Sequence, residues 1–401
     1  ETELAILKGR VDGLEARVGE LEATQFSTTT KLSGVAIFVA GANRLMGSAD
    51  QLRSTNNKDS GATVFNYDLQ LVFETSFSGR DLLSTVLRAG NFGASSVLGS
   101  GGSSALSVLE TAYQADGGAN VLAIDKLFYS FPIGDSITIT SGPLVGQEDM
   151  LAVWPSAYPS DPILDVLTLS GAPGAYNKNL GAGAGILWSD SSGLRASANY
   201  VAANGANSVS SQGGIATDAA GGSGTVQLGW EAESWNVAAI YSQIQNGHDL
   251  IAYATPFTQQ NLYGNGVTHA FGLGGSWAPE ESGWVPAVSI GWGFNSSDAD
   301  SSGQVSSSQS WTVGLEWNDV LMAGNNAGMA VGQPVFATDL RGVETPADGQ
   351  FIWEWWYQFQ LTDNISVTPA VFYLSRPMGG LTPSDSTFQQ LGALIKTTFV
   401  F

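Results

Sequence analysis

The chain has no cysteine. That excludes disulfides, thiolate metal sites and cysteine nucleophiles, and it suits an exported protein that folds without oxidation. Histidine is almost as scarce. Only His248 and His269 offer an imidazole: His248 stands beside Asp249, and His269 opens a strand-like stretch with no evident serine or aspartate partner. A hydrolytic site needs more than that, so no enzymatic activity is expected. Charge is thin at 13% of residues and lopsided, with 15 Lys+Arg against 36 Asp+Glu and a formal net charge of -21. Phosphate binding needs clustered cations, so nucleic acid is not an expected partner. The longest apolar run, near "GVAIFVAGA", falls far short of the ~18 residues of a membrane helix. No leader is visible ahead of Glu1, so the chain reads as a mature or trimmed form.

What is present is glycine, at 50 residues, and tryptophan, at 12, with little of the Glu/Lys filler that helices favour. Residues 1–25 stand apart. Leu4, Leu7, Val11, Leu14, Val18 and Leu21 alternate at spacings of three and four, the seam of a short coiled coil. Arg10 and Arg17 fall at g positions and Glu15 and Glu22 at the following e positions, as parallel pairing requires. Gly9, Gly13 and Gly19 weaken this helix. A single amphipathic helix lying on its own domain is the other reading, and Val at a with Leu at d leaves the strand number open.

From residue 26 onward the period is two. In "TVFNYDLQLVFETSF", Phe65, Tyr67, Leu69, Leu71 and Phe73 share one face, while Asn66, Asp68, Gln70 and Glu74 share the other. "QFIWEWWYQFQL" and "SWTVGLEWN" repeat the pattern, although 119–131 looks apolar on both faces. About sixteen such segments occur, each near the ~10 residues that cross a bilayer at a tilt. They fall near 27–41, 63–77, 82–93, 119–131, 135–143, 180–189, 193–203, 224–231, 234–246, 266–278, 283–295, 309–318, 327–338, 350–361, 364–375 and 387–401. Long Gly/Ser/Asn-rich loops follow the odd segments, and short turns such as "SGRD", "PIGD" and "DSSG" follow the even ones. Short connections on one side and long ones on the other predict an all-β transmembrane barrel over 26–401, preceded by the coiled coil at 1–25. Phe77, Phe131, Trp188, Trp230, Trp235, Trp277, Trp284 and Trp317 all sit beside the short turns, as one aromatic girdle would. Pro286 and Pro369 fall inside expected strands and each removes a ladder donor.

A barrel removes its edges only if the last strand pairs with the first. In 387–401 the residues Leu391, Ala393, Ile395, Thr397, Phe399 and Phe401 would face lipid, and Gln390, Gly392, Lys396 and Thr398 the lumen. Phe399 and Phe401 then serve closure, and an aromatic end to an alternating strand is similar to a bacterial outer-membrane assembly signal. An even strand count puts both ends on the short-turn side, the periplasm.

A coiled coil, then "FSTTTKLSGVAIFVAG", then "DKLFYSFPIGDSITI", then a terminal aromatic strand resembles the cyanobacterial outer-membrane porins. These are classed with the OprB-type carbohydrate porins and often labelled iron-uptake porins. The resemblance implies a homotrimer whose coiled coils join in the periplasm, set in outer-membrane lipids. It also implies a peptidoglycan contact through an S-layer homology domain that these 401 residues do not contain.

Sixteen strands enclose more space than wall side chains fill. The loop at about 144–179 carries hydrophobic residues that would pack if it folded inward, making Glu148, Asp149, Asp161 and Asp165 candidate constriction charges. An extracellular cap or a trimer contact is the alternative. Expected channel-lining residues are Asp68, Gln70, Glu74, Arg88, Arg195, Asn199, Glu316, Glu354, Gln358 and Lys396. The acids among them lead, which predicts mild cation preference. Asp298 and Asp300 in "NSSDADSSG" lack the fixed spacing of a Ca²⁺ loop, and no GK[ST] ends the glycine clusters; no metal or cofactor is expected. The expected function is a water-filled diffusion channel for inorganic ions and small polar solutes. Alternatives are a channel selective for carbohydrates or iron species, and a mainly structural tether between outer membrane and peptidoglycan.

Overall fold

A computed structural model describes residues 29–160, 162–247, 251, 253–281 and 283–401. The expected coiled coil at 1–25, Asp161 and His248 lie outside these residues. Sixteen antiparallel strands form one closed barrel in simple up-and-down order. They are β1 Thr30–Met46, β2 Val64–Thr75, β3 Leu82–Gly90, β4 Ala123–Ile133, β5 Ile137–Gly146, β6 Leu180–Ser189, β7 Leu194–Ala202 and β8 Gly222–Glu231. The second half follows as β9 Trp235–Gln245, β10 Val267–Trp277, β11 Ala287–Ser297, β12 Val305–Trp317, β13 Asn326–Leu340, β14 Ile352–Thr362, β15 Ile365–Leu374 and β16 Gln389–Val400. Helices α1 (Asp50–Ser60) and α2 (Pro256–Asn261) decorate the long-loop side. No helix of the described residues is long and apolar enough to cross a membrane.

The alternation sorts side chains inside out relative to a globular protein. Phe38, Phe65, Leu228, Leu273, Ile290, Trp292, Leu391 and Ile395 are exposed on the outer face. Ser197, Gln227, Ser242, Ser289, Asn295 and Ser310 are buried on the inner one. Such a wall is stable only where its outside meets hydrocarbon. The rim of short turns carries exposed Phe77, Trp188, Trp230, Trp235, Trp277 and Trp284, and Trp317 donates its indole N–H to the carbonyl of Trp284 at 3.0 Å.

Closure runs through twelve register pairs, from Val35↔Val400 to Met46↔Gln389. The seam ends in a reciprocal pair: Gly34 N–H donates to Phe401 at 2.7 Å and Phe401 N–H donates back to Gly34 at 2.9 Å. Phe401 also lays its ring over Gly34, where a Cβ would come within 2.4 Å of it. The terminal aromatic thus fills the hole left by a glycine on the neighbouring strand.

Strand limits shift from the sequence expectation where polar residues keep pairing: β1 runs on to Met46, and β12 starts at Val305. Pro286 falls just before β11, so no ladder bond is lost. Pro369 stays inside β15. There the pairing with β14 passes from Trp356↔Ala370 to Phe359↔Val367 with the register unbroken, and the proline sits in the gap.

Candidate functional site: a charged passage beside two inward loops

The connection after β5 does not rise into solvent. Between Gln147 and Asn179 it follows the inner wall from β7 to β16 and back, held by wall side chains that would otherwise face water. Gln227 accepts from the N–H groups of Ala152 and Val153 at 3.0 and 2.9 Å and donates to the Val153 carbonyl at 2.7 Å. Ser289 accepts from Ala157 and Tyr158 at 2.8 and 2.9 Å. At the far wall, Glu354 accepts from the Tyr158 hydroxyl at 2.6 Å and from Leu164 N–H at 2.8 Å, while Lys396 donates to the Pro162 carbonyl at 2.9 Å. On the return, Ser310 donates to the Gly171 carbonyl and Ser242 to that of Ala175, both at 2.8 Å.

The connection after β3 joins it inside the lumen. Leu109 and Leu164 form an antiparallel bridge, with Glu110 N–H donating to Ile163 at 2.9 Å and Asp165 N–H to Val108 at 3.1 Å. Phe92, Leu98, Leu106, Leu109, Ile163, Leu164 and Leu167 pack on inward Ile37, Val39, Ile352, Phe372 and Leu394 in one buried cluster. These apolar lumen residues would be costly in a water-filled pore; covered by the two loops, they close the β14–β1 side with a dry core. The fit is tight. Ser170 lies so close to β11 that a Cβ on Gly291 would stand 1.7 Å from its carbonyl oxygen, and Gly171 takes a left-handed φ of +68°. Gly291→Ala is therefore expected to push the loop off the wall. Overpacking of this kind costs about 1–3 kcal/mol. Thermal unfolding in detergent and single-channel conductance would register it as lower stability with a larger conductance.

Beside the loops lies a cavity of about 700 Å³ against β2–β6, lined by Arg88, Lys126 and Lys178 with Glu110, Asp125, Glu148, Asp149 and Asp165. Every cation is held by acids. Arg88 bonds both oxygens of buried Asp68 at 2.8 and 2.9 Å, approaches Asp125 at 3.7 Å and lies 4.6 Å from the Tyr113 ring centre. Lys126 contacts Glu148 at 2.7 Å and Asp149 at 2.8 Å. Lys178 contacts Asp165 at 3.1 Å and Glu110 at 3.9 Å. The charges are thereby fixed in position, and any ion or dipole inside the cavity meets a standing field. Burial pushes the Asp149 carboxyl up, against the pull of Lys126.

The residues singled out from sequence divide by place. Gln70, Arg88, Glu148, Asp149 and Asp165 line this passage, and Asp68 lies just behind it as the partner of Arg88. Glu316, Gln358 and Lys396 line a separate cavity under the tip of the loop, on the short-turn side. Glu74 is exposed near the short-turn end of β2, opposite Lys31. Arg195 pairs with Glu231 at 2.9 Å at the same rim. Asn199 is covered by the loop at Gln147, and Glu354 is fully buried beneath it, so neither inner-face position meets open water.

Sequence reasoning missed Asp125 and Lys126. Strict alternation puts neighbours on opposite faces, yet a register shift between Val86 and Leu87 opposite β4 places both toward the lumen. A β-bulge re-aims side chains in this way, so the segment is not apolar on both faces. An adjacent Asp–Lys pair in an otherwise apolar strand is the signal that could have shown it. Glu110 and Lys178 were missed because loop residues carry no parity.

A family profile described as "Carbohydrate-selective porin, OprB family" matches residues 1–401. Uncharacterized proteins of Nostoc sp. and Synechocystis sp. are each 29% identical, with all of this chain covered and 70% and 74% of theirs. Among solved structures, Pseudomonas putida OprB superposes with a TM-score of 0.63 over 96% of each chain at 11% identity. An anion-selective porin of Comamonas acidovorans gives 0.56 over 93% of this chain and 99% of its own, also at 11% identity. With the closed barrel and its inward loops, the whole-length match shows that the chain belongs to the OprB family of outer-membrane porins.

Proposed function

We propose that the chain is a passive diffusion channel for inorganic ions and small polar solutes, with cations preferred. The observation that carries this reading is the passage beside β2–β6, where five lining acids face three lining cations. The absence of cysteine makes the test direct. A single cysteine at Val86 or Ala112, both in the passage, should let a cationic methanethiosulfonate lower the current. One at Ala330, buried under the loops, should not react. Equal response at all three would place the conducting path elsewhere.

The family description favours a second reading, a channel selective for carbohydrates. Liposome swelling distinguishes the two: a general pore sorts solutes by size and charge, whereas a selective one saturates with a particular sugar.

The reading extends to a trimer set in the outer membrane. The Thr29 carbonyl accepts from Ser76 N–H beside the β2–β3 turn, so the first described residue stands at the short-turn rim. Residues 1–25 would then pair as a periplasmic coiled coil along Leu4, Leu7, Val11, Leu14, Val18 and Leu21. Tethering three barrels raises the effective concentration of these helices, which offsets their glycines. Attachment to peptidoglycan would belong to an S-layer homology domain of a longer protein.

A further inference from the structure

The second lumen cavity, about 340 Å³ under the loop tip on the short-turn side, is not used by the passage described above. Its wall is a row of inward residues set by strand register: Lys396 of β16 lies directly across from Thr368 of β15, and Gln358 of β14 across from Asn326 of β13. Thr368 is 2% exposed, and its hydroxyl has no hydrogen-bond partner among the described residues. A buried hydroxyl left unpaired is unfavourable and calls for a reason. Its neighbour Lys396 is 6% exposed and is the one cation among the residues lining this cavity. Directly opposed residues hold their Cβ atoms about 5 Å apart, close enough for an ammonium and a hydroxyl to donate to one carboxylate. Away from them the lining carries Glu316 and Asp363. Their field opposes a bare anion and favours a ligand that also brings positive charge.

We propose that Thr368 and Lys396 bind the carboxylate of a small zwitterion, an α-amino acid in size, with its ammonium turned toward Glu316 and Asp363. The neutral amides of Gln358 and Asn326 complete a wall that hydrogen-bonds without adding charge. The site opens to the short-turn side, so the ligand meets it from the periplasm. This goes beyond the conducting role and does not depend on it, because binding can be read with no current.

Equilibrium dialysis of the full detergent-solubilised protein against radiolabelled L-glutamine tests it. Saturable binding, near one per barrel, is expected. Thr368→Val should weaken it tenfold or more, Thr368→Ser should restore it, and Lys396→Met should weaken it at least as much as the valine. Acetate and glucose should compete poorly. The proposal is overturned by no saturable uptake up to about 10 mM, tenfold above a millimolar Kd, or by equal binding to wild type and Thr368→Val. Acetate competing as well as glutamine would overturn the zwitterion, and glucose competing as well would overturn the carboxylate. Should Lys396→Met fail to fold, as judged by heat-modifiable migration, the valine and serine variants of Thr368 still decide.

Discussion

Replacing Glu354 with alanine is expected to raise single-channel conductance on the order of twofold, since a sixteen-strand wall encloses far more area than the passage uses. The carboxylate is fully buried and holds the tip of the loop through Tyr158 and Leu164. Trp356 braces the same contact, donating its indole N–H to the Tyr158 oxygen at 2.7 Å. Truncation leaves the Tyr158 hydroxyl and the Leu164 N–H without an acceptor. Each such orphan costs about 1–3 kcal/mol, and the loop can relieve both by leaving the wall. Once it leaves, the apolar cluster on β14–β1 loses its cover and the closed side of the lumen admits water. Glu354→Gln, which keeps one acceptor, should fall between. Planar-bilayer recordings check the conductance, and the reversal potential should move toward zero, because about half of the current then bypasses the charged passage. A conductance that stays at the wild-type value while the thermal midpoint drops would mean that Ser289 and Ser310 hold the loop without the Glu354 anchor.

That expectation could not have come from alternation alone. Asp68, Arg88 and Glu354 all sit on inner-face parity, and the strands place them there as the two-residue period requires. Parity does not say what covers a residue. Glu354 looked like a pore charge because nothing in "FIWEWWYQF" reports that a loop some 190 positions earlier reaches across the lumen to bury it. The hydrophobic composition of 144–179 did point inward, since Val153, Ile163, Leu164 and Leu167 are costly in water. The inward turn of the connection after β3 was hidden by its Gly/Ser content, with Leu98, Leu106 and Leu109 scattered too widely to show a face. Strand count, order and closure were legible because every backbone group in a bilayer must pair, which forces long regular segments. The passage was only partly so: parity places Gln70 and Arg88 on its wall, but the rest of its charges come from one bulge and two loops, where neither period nor parity operates.

The passage itself yields the other large effect. Changing Glu148 and Asp149 together to lysine should reverse the ion preference, so that the reversal potential across a salt gradient changes sign. Wild type presents five lining acids against three lining cations; the double variant presents three against five. The field in a narrow, partly desolvated site follows that count more closely than the overall charge of the molecule, which stays strongly negative. The neutral pair Glu148→Gln with Asp149→Asn should land between and show whether the effect is charge or shape. Mobile ions screen over about 10 Å at 0.1 M and 3 Å at 1 M, so the reversal should shrink as salt rises, whereas a steric change would not. Wild type should also lose cation preference as pH falls. Burial favours the protonated form of Asp149, so that loss should begin above the pH at which an ordinary aspartate titrates, and the neutral pair should show less of its first part. If the sign of the reversal potential survives the double charge reversal at low salt, ions take a route that does not pass Lys126, and the cavity beside β2–β6 is not the selectivity filter.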